Sequence, residues 1–276
     1  TVYKLASVGG SGSNGVDKRF FYEPSIVRAF ITETLQTTIS DGSGGQKTVV
    51  RKKETPYDAL LIGSGDRANP LGNDTQDTFF MIKDENIYTR SYTASSTPSI
   101  PAVITHTDLT SDLYDLTTSI FDKASLSKAD REKEEIKLSN KKGWFINFNK
   151  AQGEKNSSAA IVINNVVYFN SYTPPDNVVL VCEVPGGVGR LYAVDLAQGR
   201  QIYKWQNDGV IDEKDRSIEI DQSFLDSPTL IVVPNDDGDP NTVDQATGNI
   251  IVGRTIIPVG FTLNTDRTHL YIEENQ

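Results

Sequence analysis

The sequence predicts an all-β fold of the β-propeller type, and three observations lead to this prediction. Apolar residues form short runs rich in β-branched and aromatic side chains, which Gly, Pro, Asn and Asp interrupt. Three successive regions repeat one order: a surface strand, a strand ending in Gly, Ser or Asn, and a strand followed by Asp or Glu. Tandem units of about 40–50 residues are typical of a propeller, because neighbouring units bury the faces that one unit leaves exposed.

The predicted strands follow one another at short intervals, and all but Trp144–Phe148 lie in the three regions, which span residues 22–84, 158–205 and 227–273. They are Ser25–Phe30, Ala59–Ile62, Thr78–Ile82, Trp144–Phe148, Ala160–Ile163, Val166–Asn170, Arg190–Asp195, Gln201–Trp205, Thr229–Val233, Ile250–Thr255 and Thr268–Glu273. Closed propellers have at least about four blades. We therefore expect residues 1–276 to be the C-terminal part of a single propeller domain, with Val2–Leu5 ending an earlier blade.

A helical insertion at about residues 107–140 interrupts the strand pattern. Its first part has apolar residues at i, i+4, i+7 and i+11, which predicts a helix of about three turns with one apolar face. These residues are Leu109, Leu113, Leu116 and Ile120. Its second part begins at Ser127, which forms a capping-box pattern with Asp130 ahead of a run of charged helix formers. We expect that second helix to be mostly solvated.

The turn Gly63–Arg67 contains Gly and Ser, which are also common in nucleophile and phosphate loops. It has neither the G-x-S-x-G nor the Walker spacing, and no His lies nearby in the sequence. A tight turn is therefore predicted, in which Asp66 and Arg67 fix the loop at Asn69–Pro70.

Composition limits the classes of partner and site. Lys and Arg number 27 against 37 Asp and Glu, so the net charge of −10 repels a phosphate backbone and predicts no nucleic-acid partner. The longest apolar runs, such as Val178–Val181, are far shorter than the ~18 residues that span a bilayer, which predicts no membrane span. Cys182 is the only cysteine, so neither a disulfide within the chain nor a multi-cysteine metal site is predicted.

An acidic segment between two predicted strands, Asn235–Asp244, is a candidate calcium site. Calcium takes six to eight oxygen ligands, and alternate residues of a tight loop can supply them. The candidate ligands are Asp237, Asp239, Asn241, the backbone carbonyl of Val243, and Asp244. Counted from Asp237, the segment lacks the Gly and Glu that an EF-hand has at its sixth and twelfth positions. Asp, Gly, Pro and Asn also form solvated turns without metal, so both interpretations stay open.

Several stretches resemble a known family. They are Tyr57–Leu71 with Phe79–Asp84, Gly143–Phe148 with Gly153–Lys155, and Gly187–Leu196. They are similar to the C-terminal propeller of the PilC/PilY family of type IV pilus tip adhesins and biogenesis factors, and the likeness runs nearly end to end. It implies a bacterial protein that passes through the periplasm to the pilus tip or outer surface. It also implies that further blades and an N-terminal region precede Thr1 and that Gln276 lies near the natural end.

The resemblance implies a binding function and no catalysis. Members of the family support pilus extension, surface attachment and twitching motility, in part under calcium control. The implied partners are minor pilins, the pilus tip, and a host-cell or abiotic surface. Some members carry an Arg-Gly-Asp tripeptide for integrin contact, which this chain lacks. The closing Asp of the family's usual calcium loop would fall on Gln245.

Two alternatives remain. The stretch Leu191–Trp205 resembles a quinoprotein blade, which implies a hairpin turn made by Asp195 and Gly199 and a Trp205 side chain packed between blades. Quinoprotein dehydrogenases hold pyrroloquinoline quinone with calcium on the propeller axis, but their sites commonly use adjacent cysteines, whereas this chain has Cys182 alone. The second alternative is a periplasmic scaffold that binds peptides.

Overall fold

Strands dominate the protein, which confirms the all-β class. The computed structural model describes residues 3–10, 17–87, 100–118, 120–121, 123, 126–175, 186–206, 212–235 and 245–264. The strands are β1 (Ala6–Ser7), β2 (Ser25–Ser40), β3 (Gln46–Gly63), β4 (Thr78–Asp84), β5 (Ile104–Thr105), β6 (Tyr114–Asp115), β7 (Gly143–Asn147), β8 (Lys155–Asn156), β9 (Ile161–Ile163), β10 (Val166–Thr173), β11 (Val188–Asp195), β12 (Ser217–Asp221), β13 (Thr229–Asn235), β14 (Gln245–Val252) and β15 (Thr255–Asn264). The α-helices are α1 (Leu109–Asp112) and α2 (Lys128–Ser139).

Three larger sheets follow one another along the chain. The first sheet has the strand order β2-β3-β4-β7-β6, the second β12-β11-β10-β8 with β9 also on β10, and the third β13-β14-β15. Strands β1 and β5 form a small parallel pair. The three predicted regions thus correspond to three sheets that are antiparallel throughout, apart from the parallel pairing of β6 with β7.

A long hairpin, β2 and β3, forms one side of the first sheet. Its two strands pair from Ser25 opposite Leu61 to Ser40 opposite Gln46. The turn is held by Asp41, whose carboxylate accepts hydrogen bonds from two backbone N–H groups within the turn. β3 pairs with β4 only between Asp58 and Gly63, so the outer part of the hairpin extends beyond the sheet as a two-stranded ribbon.

The sheets pack face to face, because alternate residues of a strand point to opposite faces. Phe79 of the first sheet stacks on Phe169 of the second at 3.7 Å between ring centroids. Trp144 is fully buried in the same cluster and donates from Nε1 to the Leu196 carbonyl at 2.9 Å, which ties β7 to the turn after β11.

The other faces of the first two sheets are buried as well. Phe80 and Phe145 of the first sheet cluster with residues of β1 and β5 and the segment around them. Tyr168 and Leu191 of the second sheet cluster with Ile250 and other residues of the third. The strands of the described residues form no closed sheet, and the assignment of residues 1–276 to part of a propeller stays a prediction.

The predicted three-turn helix is wrong. α1 is a single turn that ends at Asp112, the chain is extended at Leu113, and β6 then pairs in parallel with β7. The reason lies in packing, since Leu113 is buried in the cluster on one face of the first sheet and Leu116 in the cluster on its other face. A helix would have placed both side chains on the same face.

The second predicted helix is confirmed as α2. The Ser127 hydroxyl accepts from the Asp130 backbone N–H at 3.1 Å, and the same hydroxyl donates to the Asp130 carboxylate at 2.7 Å. Leu138 is the one buried residue of this helix, so the helix is mostly solvated as expected.

Several predicted strands differ in the structure. Ser25–Phe30 and Ala59–Ile62 are parts of the much longer strands β2 and β3. Within Gln201–Trp205 only Gln201 bridges to Val194, because β12 occupies the edge of β11 that this segment would need. The predicted strand Ile250–Thr255 is broken by a turn at Gly253, where the backbone has φ of 56°. Tyr3–Leu5 forms no strand, and Val2, Thr268–Glu273 and Cys182 lie outside the described residues.

Candidate functional site

The predicted calcium ligands lie outside the described residues, although the strands beside them are described. The predicted ligands are Asp237, Asp239, Asn241, Val243 and Asp244. β13 and β14 pair antiparallel as far as Asn235 opposite Gln245. The acidic segment therefore connects the two strands of a hairpin, as the sequence predicted.

Two features are absent from the described part of the chain. No group of three or more His, Cys, Asp or Glu side chains in that part of the chain could hold a metal ion. No described helix is long and apolar enough to cross a membrane.

The loop after β3 is fixed by one of the two residues that the sequence proposed. The Asp66 carboxylate accepts from the backbone N–H groups of Ala68 at 3.0 Å and Asn69 at 3.2 Å, and it pairs with Arg19 at 2.7 Å. Arg67 does not hold the loop in this way. Its guanidinium lies over the rings of Tyr22 and Phe224, at 5.5 and 5.8 Å from their centroids.

Lys155 anchors this loop from the second sheet. Its Nζ donates to the carbonyls of Asn69 at 3.3 Å, Pro70 at 3.1 Å and Gly72 at 2.5 Å. The side chain is buried, and this desolvation lowers its pKa, although the nearby Asp77 carboxylate acts in the opposite direction. The segment Gly153–Lys155 thus joins the second sheet to a loop of the first.

Asp77 is a buried carboxylate beside that loop. It accepts a hydrogen bond from the Ser64 hydroxyl at 2.7 Å, and the same hydroxyl accepts from the Thr78 backbone N–H at 2.9 Å. Burial raises the pKa of Asp77, while the bond from Ser64 and the charge of Lys18 oppose the rise. The group holds the start of β4 against the end of β3.

Glu154 is fully buried beside the second sheet. Its Oε1 accepts from the Ser171 hydroxyl at 2.6 Å and from the Tyr192 hydroxyl at 2.8 Å. Burial, followed by the charge of Glu154, raises the pKa of Tyr192 well above its ordinary value. These bonds link β10 and β11 to the segment before β8, so this polar cluster supports the sheet.

Two open clefts flank the second sheet. The larger measures about 650 Å³ and is mostly apolar, with Leu71, Tyr172 and Phe224 among its walls and Arg67 at its side. The smaller measures about 380 Å³. Its lining includes Lys150, the β11 residue Arg190, Trp205, Lys214 and the β12 residue Glu219. Both volumes fall in the range of small-molecule sites, about 300–1,000 Å³.

The sequence did not indicate either cleft. The smaller one joins Lys150 after β7, Arg190 on β11 and Lys214 before β12, which lie far apart in the chain. The one sequence signal was Trp205, expected to pack between blades. It is partly buried and packs against the cluster between the second and third sheets.

Comparison with known proteins gives no relative: no family model, no curated protein and no solved structure matches this chain. The function of the clefts therefore has to be inferred from their own residues.

Proposed function

We propose that this chain is the C-terminal part of the β-propeller of a PilC/PilY-type protein, a type IV pilus-associated tip adhesin and biogenesis factor. It acts by binding, at the pilus tip or outer surface, with minor pilins and a host-cell or abiotic surface as partners. In this role it supports pilus extension, surface attachment and twitching motility.

The observation that carries the proposal is the position of the residues that resemble the family. Three of these stretches fall on or next to the adjacent strands β3, β4 and β7. They are Tyr57–Leu71, Phe79–Asp84 and Gly143–Phe148. Gly153–Lys155 comes to the same place, because Lys155 bonds the loop that follows β3. Stretches scattered over about 100 residues of sequence thus lie on adjacent strands of the first sheet and at its contact with the second, as neighbouring blades of a propeller would require.

Sheet stacking also supports a propeller. The second sheet packs on the first through Phe79 and Phe169 and on the third through Tyr168 and Ile250. The hairpin of the quinoprotein-type stretch forms at the positions that the resemblance implies. Asp195 accepts from two backbone N–H groups in the turn, and Gly199 has a positive φ of 58°.

Calcium forms part of the proposal. The acidic connection between β13 and β14 joins two strands that pair as far as Asn235 opposite Gln245. Asp237, Asp239, Asn241, Val243 and Asp244 would supply the oxygens, and bound calcium would stiffen the hairpin end. Mutual repulsion of the carboxylates favours a cation there.

A dehydrogenase is the second candidate, because the blade motif is shared with quinoproteins. Hydrogen bonds indicate that three buried polar residues each hold neighbouring strands or loops. These residues are Glu154, Lys155 and Asp77. Reconstitution with pyrroloquinoline quinone and calcium distinguishes the two functions. Dye reduction and quinone absorbance would support the dehydrogenase.

The direct test is to recover the full-length protein from sheared pili and identify its neighbours by mass spectrometry. We expect enrichment in the pilus fraction together with minor pilins. Recovery from the periplasm alone, bound to other proteins, would instead support the periplasmic scaffold.

A further inference from the structure

The smaller cleft beside the second sheet has a charge opposite to that of the protein. Lys150, Arg190 and Lys214 line it together with one carboxylate, that of Glu219. The whole chain carries −10. A local excess of cations in an acidic protein attracts a small anion, whereas the surrounding surface repels an extended polyanion.

Arg190 has unused capacity to bind an anion. Its Nη2 pairs with Glu219 across the two strands at 2.8 Å, and its buried Nε has no hydrogen-bond partner among the described residues. The side chain of Glu219 is 64% exposed, so this pair is weakly held and can be replaced. The register of β11 against β12 shifts at Gly189 and Arg190, and such bulges redirect side chains next to binding sites.

Lys150 and Lys214 supply two further ammonium groups. The Lys150 Nζ lies 3.3 Å from the Lys214 carbonyl. Although Lys150 as a residue is exposed, desolvation of its ammonium lowers its pKa, with Glu154 opposing and Arg190 adding to the shift. Lys214 is 67% exposed and pairs with Asp212 at 3.9 Å, so it is an exposed cation in the lining of the cleft.

Trp205 forms an aromatic wall of the cleft. Its ring stacks on Tyr203 with a centroid distance of 4.9 Å and an interplanar angle of 9°. The Tyr203 hydroxyl is in turn bonded to that of Tyr168 at 2.7 Å, so the residue that stacks on the indole is itself held in place. An indole ring is a flat surface on which the apolar C–H face of a sugar ring can pack. An inorganic anion has no such face.

We propose that this cleft binds a single anionic sugar residue, with its carboxylate at Arg190 and Lys150 and its ring against Trp205. A volume of about 380 Å³ holds one monosaccharide unit. Arg190 exchanges its pair with Glu219 for a fork-like pair with the sugar carboxylate. This site is separate from the acidic hairpin and does not depend on pilus association.

The test is a titration of the 276-residue chain with glucuronate, N-acetylneuraminate, glucose and acetate. The chain has two Trp residues, and Trp144 is fully buried, so a change in tryptophan fluorescence reports on Trp205. We expect saturable millimolar binding of at least one acid sugar. Glucose, which matches glucuronate except for the carboxylate, should bind about tenfold more weakly. Equal responses to glucose, equal responses to acetate, or no saturable response to either acid sugar would overturn the proposal.

Variants identify the site. Arg190→Gln and Lys150→Gln should each weaken binding about tenfold, while Lys133→Gln on the exposed face of α2 should leave it unchanged. Glu219→Gln should bind more tightly than the parent chain, because it removes the carboxylate that competes for Arg190. This exposed substitution keeps the test informative even if Arg190→Gln impairs folding. Weaker binding by Glu219→Gln would overturn the proposal.

Discussion

Lys155 shows how one buried cation can join two sheets. Its ammonium donates to three backbone carbonyls of the part-buried loop at residues 69–72, and among the described residues only that of Asn69 also accepts a backbone hydrogen bond, from the Gly72 N–H at 3.1 Å. Removing a donor from buried acceptors costs about 1–3 kcal/mol. The hydrogen bonds of the Lys155 ammonium thus offset the unfavourable burial of its charge.

We expect Lys155→Met to lower the free energy of unfolding by about 2 kcal/mol, because the methionine fills space but removes the ammonium that donates to the Pro70 and Gly72 carbonyls. Lys133→Met is the matched control, since the Lys133 side chain is 70% exposed. The control should change stability by no more than about 0.5 kcal/mol. Urea denaturation of both variants measures the difference, and equal effects would contradict this role.

Asp77 should make stability depend on pH. Its pKa in the folded protein is raised by burial, so the native state binds the proton more readily than the unfolded state. Its contribution to stability is therefore greatest below the unfolded pKa of about 4 and falls as pH rises through the raised native pKa. Asp77→Asn should remove this fall and keep an acceptor for Ser64. Asp74→Asn, at an exposed position, should leave the fall unchanged in urea titrations across pH.

Single-residue variants also test the proposed calcium site. Calorimetry should show calcium binding that Asp237→Ala and Asp239→Ala each weaken, because each removes a carboxylate ligand. Asp74→Ala removes an acidic side chain from a different loop and should bind as the parent does. No heat and no shift in the melting temperature at millimolar calcium would contradict the proposed site.

The elements show where sequence patterns sufficed and where they did not. Local signals worked: the Ser127 cap begins α2, and Asp195 with Gly199 closes the hairpin. The leucine periodicity failed, because Leu113 and Leu116 are buried on opposite faces of one sheet. Periodicity in sequence cannot distinguish one buried face from two when the chain turns between them.

The contact between the first and second sheets should be a main source of stability. Phe169 is fully buried between Phe79, at 3.7 Å, and Tyr192, at 4.9 Å, measured between ring centroids. Phe169→Ala should cost about 3–5 kcal/mol of unfolding free energy, because it leaves a cavity between sheets. Phe30→Ala, at a side chain 64% exposed, should cost under about 1 kcal/mol. If Phe169→Ala and Phe30→Ala lost similar amounts of unfolding free energy, in thermal and in urea unfolding, the sheets would not depend on this contact.

At the scale of the whole molecule, the sequence predicted the class of fold and the succession of three sheets. The edge strand β12 of the second sheet was missed because its pairing with β11 depends on which distant segment takes a free edge. The clefts were missed for a similar reason. Lys150, Arg190 and Lys214 come together only after three segments of the chain have folded.

The distribution of charge is also a property of the whole molecule. The net charge of −10 predicts repulsion from polyanions, but it does not reveal a local cationic cleft. Conversely, the acidic hairpin was readable from the sequence, because its carboxylates are neighbours in the chain. A cluster of neighbouring residues can be recognised in the sequence, whereas a cluster built from separate strands needs the folded structure; the calcium site in the acidic hairpin stays a prediction.

We propose that this chain belongs to a protein that works at the tip of a type IV pilus. Immunogold electron microscopy of piliated cells, with antibody raised against the 276-residue chain, tests it most directly. We expect gold particles at the distal ends of pili, and their loss in a strain from which the protein has been deleted. Label that is confined to the periplasm, with pilus ends unlabelled, would contradict the claim.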